Sequence, residues 1–242
     1  MRLEHFQAFI FDLDGTLIDS EPWHLRAFAT AMRDLTGYEL TAADAFAFRG
    51  NTSLWLAGEL VRRHGLGVDP KRVAERKFEV LYRDFRAELY PGAAAFVRAW
   101  SGRRPLAVAS NSPRHFVEMA LAQVGLTECF GVVTTVDDVR QRKPDPEMIH
   151  LTLRRLGLSP AQAVVFEDSA LGLTAARGAG CAVVVMDNGT LADAGDIPAS
   201  VPVATWPALP RPAGGAGDRR FPAPCPLAAR RPSPSRFRPD SR

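Results

Sequence analysis

Five short apolar runs, separated by long stretches of helical periodicity, set the outline of this chain. They fall at residues 6–11, 105–109, 131–135, 163–166 and 181–186, the third being the weakest. Continuous apolar runs, rather than alternating ones, are what parallel strands covered on both faces should show. With helical patterns between them they predict an α/β fold. Between the first two runs, residues 20–88 carry no strand pattern and read as helices at 22–35, 51–64 and 70–89. Gly37, Gly50 and the Gly65-Leu66-Gly67 segment punctuate them. Val73, Lys77, Phe78, Leu81 and Phe85 form the apolar stripe of a small bundle. The expected architecture is a Rossmann-like three-layer core with a parallel sheet (residues 1–19 and 89–195) and an inserted helical-bundle cap domain (residues 20–88). Patterning fades after Asp187. From residue 207 onward Pro, Gly, Ala, Ser and Arg dominate, with nine of the 19 prolines, so residues 207–242 are predicted to be a disordered tail.

A length of 242 residues allows one sizeable core, or a core domain plus a smaller accessory one. The pI near 9.0 suggests nucleic acid until the charge is located. Residues 207–242 hold eight arginines against Asp218 and Asp240; since the whole chain carries +3, residues 1–206 stand at −3. The basicity belongs to the tail, and no nucleic acid is expected for the core. No apolar run approaches the ~20 residues a membrane span needs, and the N-terminus lacks the succession of a signal peptide. A cytoplasmic protein is expected. Cys129, Cys181 and Cys225 are too dispersed for a metal-ligand spacing and read as small apolar filler.

Polar, reactive side chains follow directly on the first, second and fourth runs, and in open α/β sheets the carboxyl ends of strands are where ligands bind. The sharpest signal is FDLDGT at residues 11–16. Gly15 permits the tight turn that brings Asp12 and Asp14 to one site. A carboxylate is a competent nucleophile towards phosphorus when a cation screens the repulsion of two anions. Ser110 and Asn111, in Val-Ala-Ser-Asn-Ser, are suited to phosphate oxygens. Lys143, between Arg142 and Pro144, supplies positive charge for phosphate and nucleophile. Glu167 and Asp168 end the fourth run; with Asp12 and the Asp14 carbonyl they offer the hard oxygen ligands that magnesium prefers. Singly these are a turn serine, a surface lysine and an N-cap acid; together, in this order, they are a site.

On these residues the chain resembles the haloacid dehalogenase-like superfamily, in the branch with a helical cap after the first motif. The resemblance covers about residues 5–190 and all four short motifs. Residues 19–24 and 101–108 are similar to the β-phosphoglucomutase-like group, which includes sugar-phosphate phosphatases. The resemblance implies that Asp12 becomes an aspartyl phosphate. Asp14 would protonate the leaving group and then activate the acceptor, and Ser110 and Lys143 would hold the phosphoryl group. Mg2+ is the implied cofactor, a small phosphorylated metabolite the implied partner, and a monomer the common state. Thr16, His24, Arg49, Gly50, Asn111 and Arg114 are the candidate substrate contacts.

Departures from the mutase pattern favour a phosphatase. The mutase cap arginine falls on Ser53 and its core lysine on Pro113. Arg49 and Arg114 could restore part of that charge, and His24 matches a mutase histidine, so a mutase stays as the alternative. A dehalogenase would use Asp12 without a metal, and the intact Glu167–Asp168 pair argues against it. A non-enzymatic role of the arginine-rich tail in binding nucleic acid, membrane or a partner is the remaining alternative; the tail has no defined motif.

Overall fold

The computed structural model describes residues 2–48, 52–189 and 197–212 of the chain. Among the described residues six parallel strands form one sheet in the order β3-β2-β1-β4-β5-β6. They are β1 (Ala8–Phe11), β2 (Leu106–Ser110), β3 (Val132–Thr135), β4 (Ala163–Glu167), β5 (Ala182–Met186) and β6 (Val203–Ala204). The order reverses at β1, which pairs with both β2 and β4. In open α/β sheets such a reversal is where a ligand crevice forms, at the carboxyl ends of the strands. Asp12, Ser110 and Glu167 sit at that edge.

Strand alternation explains the layers. Phe9, Phe11, Val164 and Phe166 point to one face, where α5 (Ala93–Trp100) and α6 (Arg114–Gln123) supply Phe96, Trp100 and Phe116. Ile10, Ala107, Val165 and Val183 point to the other, against Met148, Ile149 and Leu153 of α7 (Glu147–Leu156) and Leu173 of α8 (Ala170–Gly178). The first face is aromatic: Phe96 lies 6.1 Å from Phe9, 5.4 Å from Phe166 and 5.3 Å from Trp206, centroid to centroid.

Among the described residues the insertion forms four helices: α1 (Glu21–Thr36), α2 (Ala42–Phe48), α3 (Ser53–His64) and α4 (Pro70–Asp84). α2 has no counterpart in the sequence pattern. Phe28, Ala31, Met32, Leu56, Ala57, Leu60 and Val73 form a separate small core for the cap. Helix α4 ends at Asp84, short of the expected residue 89, because the chain turns extended at Phe85 (φ −57°, ψ 132°). It then pairs with the outgoing linker: Asp19 N–H donates to Glu88 O (2.9 Å) and Tyr90 N–H to Leu17 O (3.0 Å). Two antiparallel crossings thus join cap to core.

The chain also continues in regular structure past residue 195, where the core was expected to end. Strand β6 extends the sheet, and Trp206–Ala208 form a 3-10 turn whose Trp206 is buried among Phe11, Phe96 and Phe166. The expected tail boundary at residue 207 therefore falls inside a packed turn; residues 213–242 lie outside the described residues. Among the described residues no helix is long and apolar enough to cross a membrane.

Phe96 joins strand and helix aromatics, so truncation should leave a cavity the sheet cannot collapse into. Phe96→Ala is expected to lower stability by about 3–5 kcal/mol, read from the midpoint of urea unfolding.

Candidate active site

Asp12 directly follows β1, and its N–H continues the sheet ladder to Phe166 O (3.0 Å), which sets it beside Glu167 at the end of β4. Lys143 enters from the loop before α7 and is almost wholly buried. Its Nζ donates to Asp12 Oδ1 at 2.7 Å and to Glu167 Oε1 at 2.6 Å. The Asn111 side chain clips this loop in place: Lys143 N–H donates to Asn111 Oδ1 (3.0 Å) and Asn111 Nδ2 donates to Lys143 O (3.2 Å). Burial works against the Lys143 ammonium, but Asp12 and Glu167 together outweigh it and hold its pKa above the usual lysine value.

Glu167 is nearly saturated. Its second oxygen accepts from Asp168 N–H (3.0 Å), Ser169 N–H (3.2 Å) and Ser169 Oγ (3.0 Å) at the start of α8. The carboxylate lies so close to Gly172 that a Cβ there would meet Oε1 at 1.7 Å. Asp168 Oδ1 accepts from Thr16 Oγ1 at 2.6 Å. Gly15, at φ +80°, leaves the space that Asp168 fills; a Cβ there would stand 2.2 Å from Oδ2. Glycine is required twice over, for backbone sign and for close approach.

Asp12, Glu167 and Asp168 each offer an oxygen within 4.8 Å of the others. Three carboxylates share one ammonium, and the imbalance is felt. Burial first, then the neighbouring carboxylates, push the Asp12 carboxyl well above its ordinary range against the pull of Lys143. Burial and Glu167 push Asp168 up to about 8. An all-oxygen, net anionic donor set of this kind fits a hard divalent cation. Asp12 and Asp168 keep the more open acceptor positions. The Asp14 carboxylate is not part of this set.

Asp14 is instead surrounded by hydroxyls. Ser20 Oγ donates to Oδ1, Ser112 Oγ to Oδ2 at 2.6 Å and Ser110 Oγ to Oδ2 at 3.3 Å. His24 Nε2 stands 3.7 Å from Oδ1, beyond hydrogen-bond reach. Burial would raise the Asp14 carboxyl, but His24, Ser112 and Ser20 outweigh it and bring it down to about 2. Burial, then Lys77, keep the His24 pKa below its usual value, so the ring is uncharged at neutral pH and the hydroxyls carry the effect there. Behind His24, Lys77 Nζ lies 2.8 Å from Nδ1. While Lys77 is an ammonium it can only donate, so Nδ1 then accepts and Nε2 carries the proton that faces Asp14. Lys77 is itself buried, which lowers its pKa to about 7.

Sequence-predicted residues divide clearly. Asp12, Asp14, Ser110, Lys143, Glu167, Asp168 and His24 converge on the crevice. Thr16, expected to contact substrate, is fully buried with its hydroxyl spent on Asp168. The side chain of Asn111 is spent on the Lys143 loop. Arg114, expected to offer charge to substrate, is neutralised: its guanidinium binds Asp138 and the Val133 carbonyl (3.2 Å), and Asp138 also pairs with Arg155 at 2.9 Å. Arg49 and Gly50 lie outside the described residues. Sequence reasoning missed Ser20 and Ser112 as Asp14 partners, and counted Lys77 as helix packing. A lysine on an otherwise apolar stripe was the signal.

Residues 6–180 match the family model described as haloacid dehalogenase-like hydrolase. The chain is 33% identical to the fructose-1-phosphate phosphatase YqaB of Escherichia coli, over 73% of this chain and 94% of that protein. The crystal structure of CbbY from Rhodobacter sphaeroides in complex with phosphate aligns at a TM-score of 0.70 and 26% identity, covering 82% of this chain and 92% of that one. A β-phosphoglucomutase from Clostridium difficile shares the fold at a TM-score of 0.68 and 19% identity, covering 85% of this chain and 93% of that one. By the family model and these relatives, the chain belongs to the haloacid dehalogenase-like hydrolase family.

Proposed function

We propose that this enzyme is a Mg2+-dependent phosphatase of a small phosphomonoester, a sugar phosphate by its likeness to the E. coli enzyme, acting in the cytoplasm as a monomer. The observation that carries the reading is the buried Asp12 carboxylate, 2.7 Å from Lys143 and clustered with Glu167 and Asp168 at the point where the strand order reverses. A cation held by Asp12, Asp168 and Glu167 would screen the charge of an incoming phosphate from that of its nucleophile.

Asp12 attacks phosphorus in line, and the bond from phosphorus to the ester oxygen breaks. Lys143 and Ser110 orient the phosphoryl oxygens, and Asp14 gives its proton to the departing oxygen. The aspartyl phosphate is then hydrolysed by water, whose proton passes to Asp14, and Asp12 is restored. Asp14 suits the second half as it stands, being held ionised among hydroxyls. For the first half it must take up a proton, which the approach of a phosphate dianion favours by repulsion. His24 and Lys77 bring the cap helices α1 and α4 to this residue, so substrate capture and the state of Asp14 are linked.

Water is the favoured acceptor. Holding a second, distal phosphate needs free cations, and Arg114 is tied to Asp138 while Pro113 caps α6 without a charge. Phosphate release from sugar phosphates should therefore far exceed isomerisation of β-glucose 1-phosphate with a bisphosphate primer; dominant isomerisation in that assay would reverse the assignment.

Asp12→Asn should cut kcat/KM by about 10⁴-fold or more while leaving the circular-dichroism spectrum unchanged. Chelation should abolish turnover of the native enzyme and added Mg2+ should restore it; activity that persists in chelator would remove the cation from the scheme.

Lys77 gives a separate expectation. The folded protein lowers its pKa from 10.5 to about 7 through burial. Between those values the unfolded chain holds a proton the folded chain does not, so this group's contribution to stability rises with pH. Lys77→Met should be most favourable relative to the native chain at pH 7, and that advantage should shrink by pH 9 in paired urea titrations.

A further inference from the structure

The nucleophile loop is gripped from a part of the chain that no step of the chemistry touches. After β6, Trp206 turns its buried indole into the aromatic face of the sheet, and Nε1 donates to Thr16 O at 3.0 Å. Asn188, just after β5, donates from Nδ2 to the same carbonyl (3.1 Å) and to Gly15 O (2.8 Å). Both backbone carbonyls of the turn leaving β1 are thus fixed by side chains some 170 to 190 residues away in sequence.

What Thr16 does next makes this grip matter. Its hydroxyl donates to Asp168 Oδ1 at 2.6 Å, and the Cβ position of its neighbour Gly15 is filled by Asp168 Oδ2. The Gly15–Thr16 peptides and the Asp168 carboxylate therefore move together or not at all. An unbroken series runs from the Trp206 N–H through the Thr16 carbonyl and hydroxyl to one of the three cation-facing carboxylates. Outer partners of this sort set the orientation of a metal ligand and hence affinity.

We propose that Trp206, with Asn188, is a positioning residue that clamps the Gly15–Thr16 turn and thereby presets Asp168 for its cation. The proposal rests on the cation-dependent reading of the site above. Plain volume filling would not need an indole at 206, and the same cluster contains the comparison. Trp100 is also buried, 4.8 Å from Phe9 and 6.3 Å from Phe96, but its Nε1 has no hydrogen-bond partner among the described residues. Both tryptophans fill the aromatic layer; only the Trp206 N–H reaches the loop.

The test uses the full chain and a readout that needs no turnover: Mn2+ binding, counted from the loss of the free-ion electron paramagnetic resonance signal. Trp206→Phe keeps a ring in the cluster and removes the donor, and should weaken Mn2+ binding by about tenfold, the low end for outer partners of a metal ligand. Its apparent cation requirement for phosphate release should rise in parallel, with kcat at saturating cation largely retained. Trp100→Phe makes the same indole-to-phenyl change without removing a hydrogen bond, and should bind Mn2+ as the native chain does. Equal affinities in the two variants would overturn the clamp, as would a native chain that takes up no Mn2+. Should Trp206→Phe fail to fold, Asn188→Ala carries the test, and an unchanged affinity there would equally overturn it. The ranking of Mn2+ affinities without hydrolysis of any phosphomonoester would uphold the clamp and remove the phosphatase reading; the converse result would do the reverse.

Discussion

The contact on which the site depends is the buried Lys143 ammonium, held between Asp12 at 2.7 Å and Glu167 at 2.6 Å. Burying these charges is costly, and breaking such a pair by removing one partner typically costs about 3–5 kcal/mol. Each partner therefore has to be fixed from elsewhere. Asp12 is fixed by the ladder to β4, Glu167 by the Asp168 and Ser169 N–H groups just before α8, and Lys143 by the two-way clip to Asn111. The sheet does the rest: because the order reverses at β1, the ends of β2 and β4 can both face Asp12. One ammonium still leaves the carboxylates in excess, and that excess is what makes the crevice a place for a cation.

The two aspartates of FDLDGT illustrate how environment divides like groups. Asp12 lies among anions in a buried pocket, and its carboxyl is pushed up; Asp14, two residues on, lies among the Ser20, Ser112 and Ser110 hydroxyls and is pushed down to about 2. Opposite displacement of two neighbouring carboxyls is the pattern by which one site supplies distinct roles. The cap acts on the second of them only. His24 and Lys77 come from the inserted helices and approach Asp14, whereas the Asp12 cluster is built wholly from the α/β core.

How much of the site could be read from the sequence depends on how far each signal travels along the chain. Strand-end residues such as Asp12, Ser110 and Asp168 were legible because a continuous apolar run announces its own end. Lys77 was not, because helical periodicity places it on the buried stripe with Val73 and Phe85 without saying that His24 waits there. Thr16 and Arg114 read as substrate contacts in the sequence because their partners, Asp168 and Asp138, lie far off or beyond any local pattern. Strand β6 has two residues, too few for periodicity, and is held by main-chain bonds such as Asp187 N–H to Ala204 O at 2.8 Å.

The chain after β5 also ties down the turn that follows β1. The turn that carries Gly15 and Thr16 is held through its backbone as well as by packing. The carbonyls of Gly15 and Thr16 are the groups that are tied. Asn188 and Trp206 tie those carbonyls from behind, while Ile18 and Asp19, two residues further on, already belong to the crossing that leads into the cap. The turn at Gly15 and Thr16 is thus anchored to the core, and by Ile18 the chain has entered the crossing that leads into the cap.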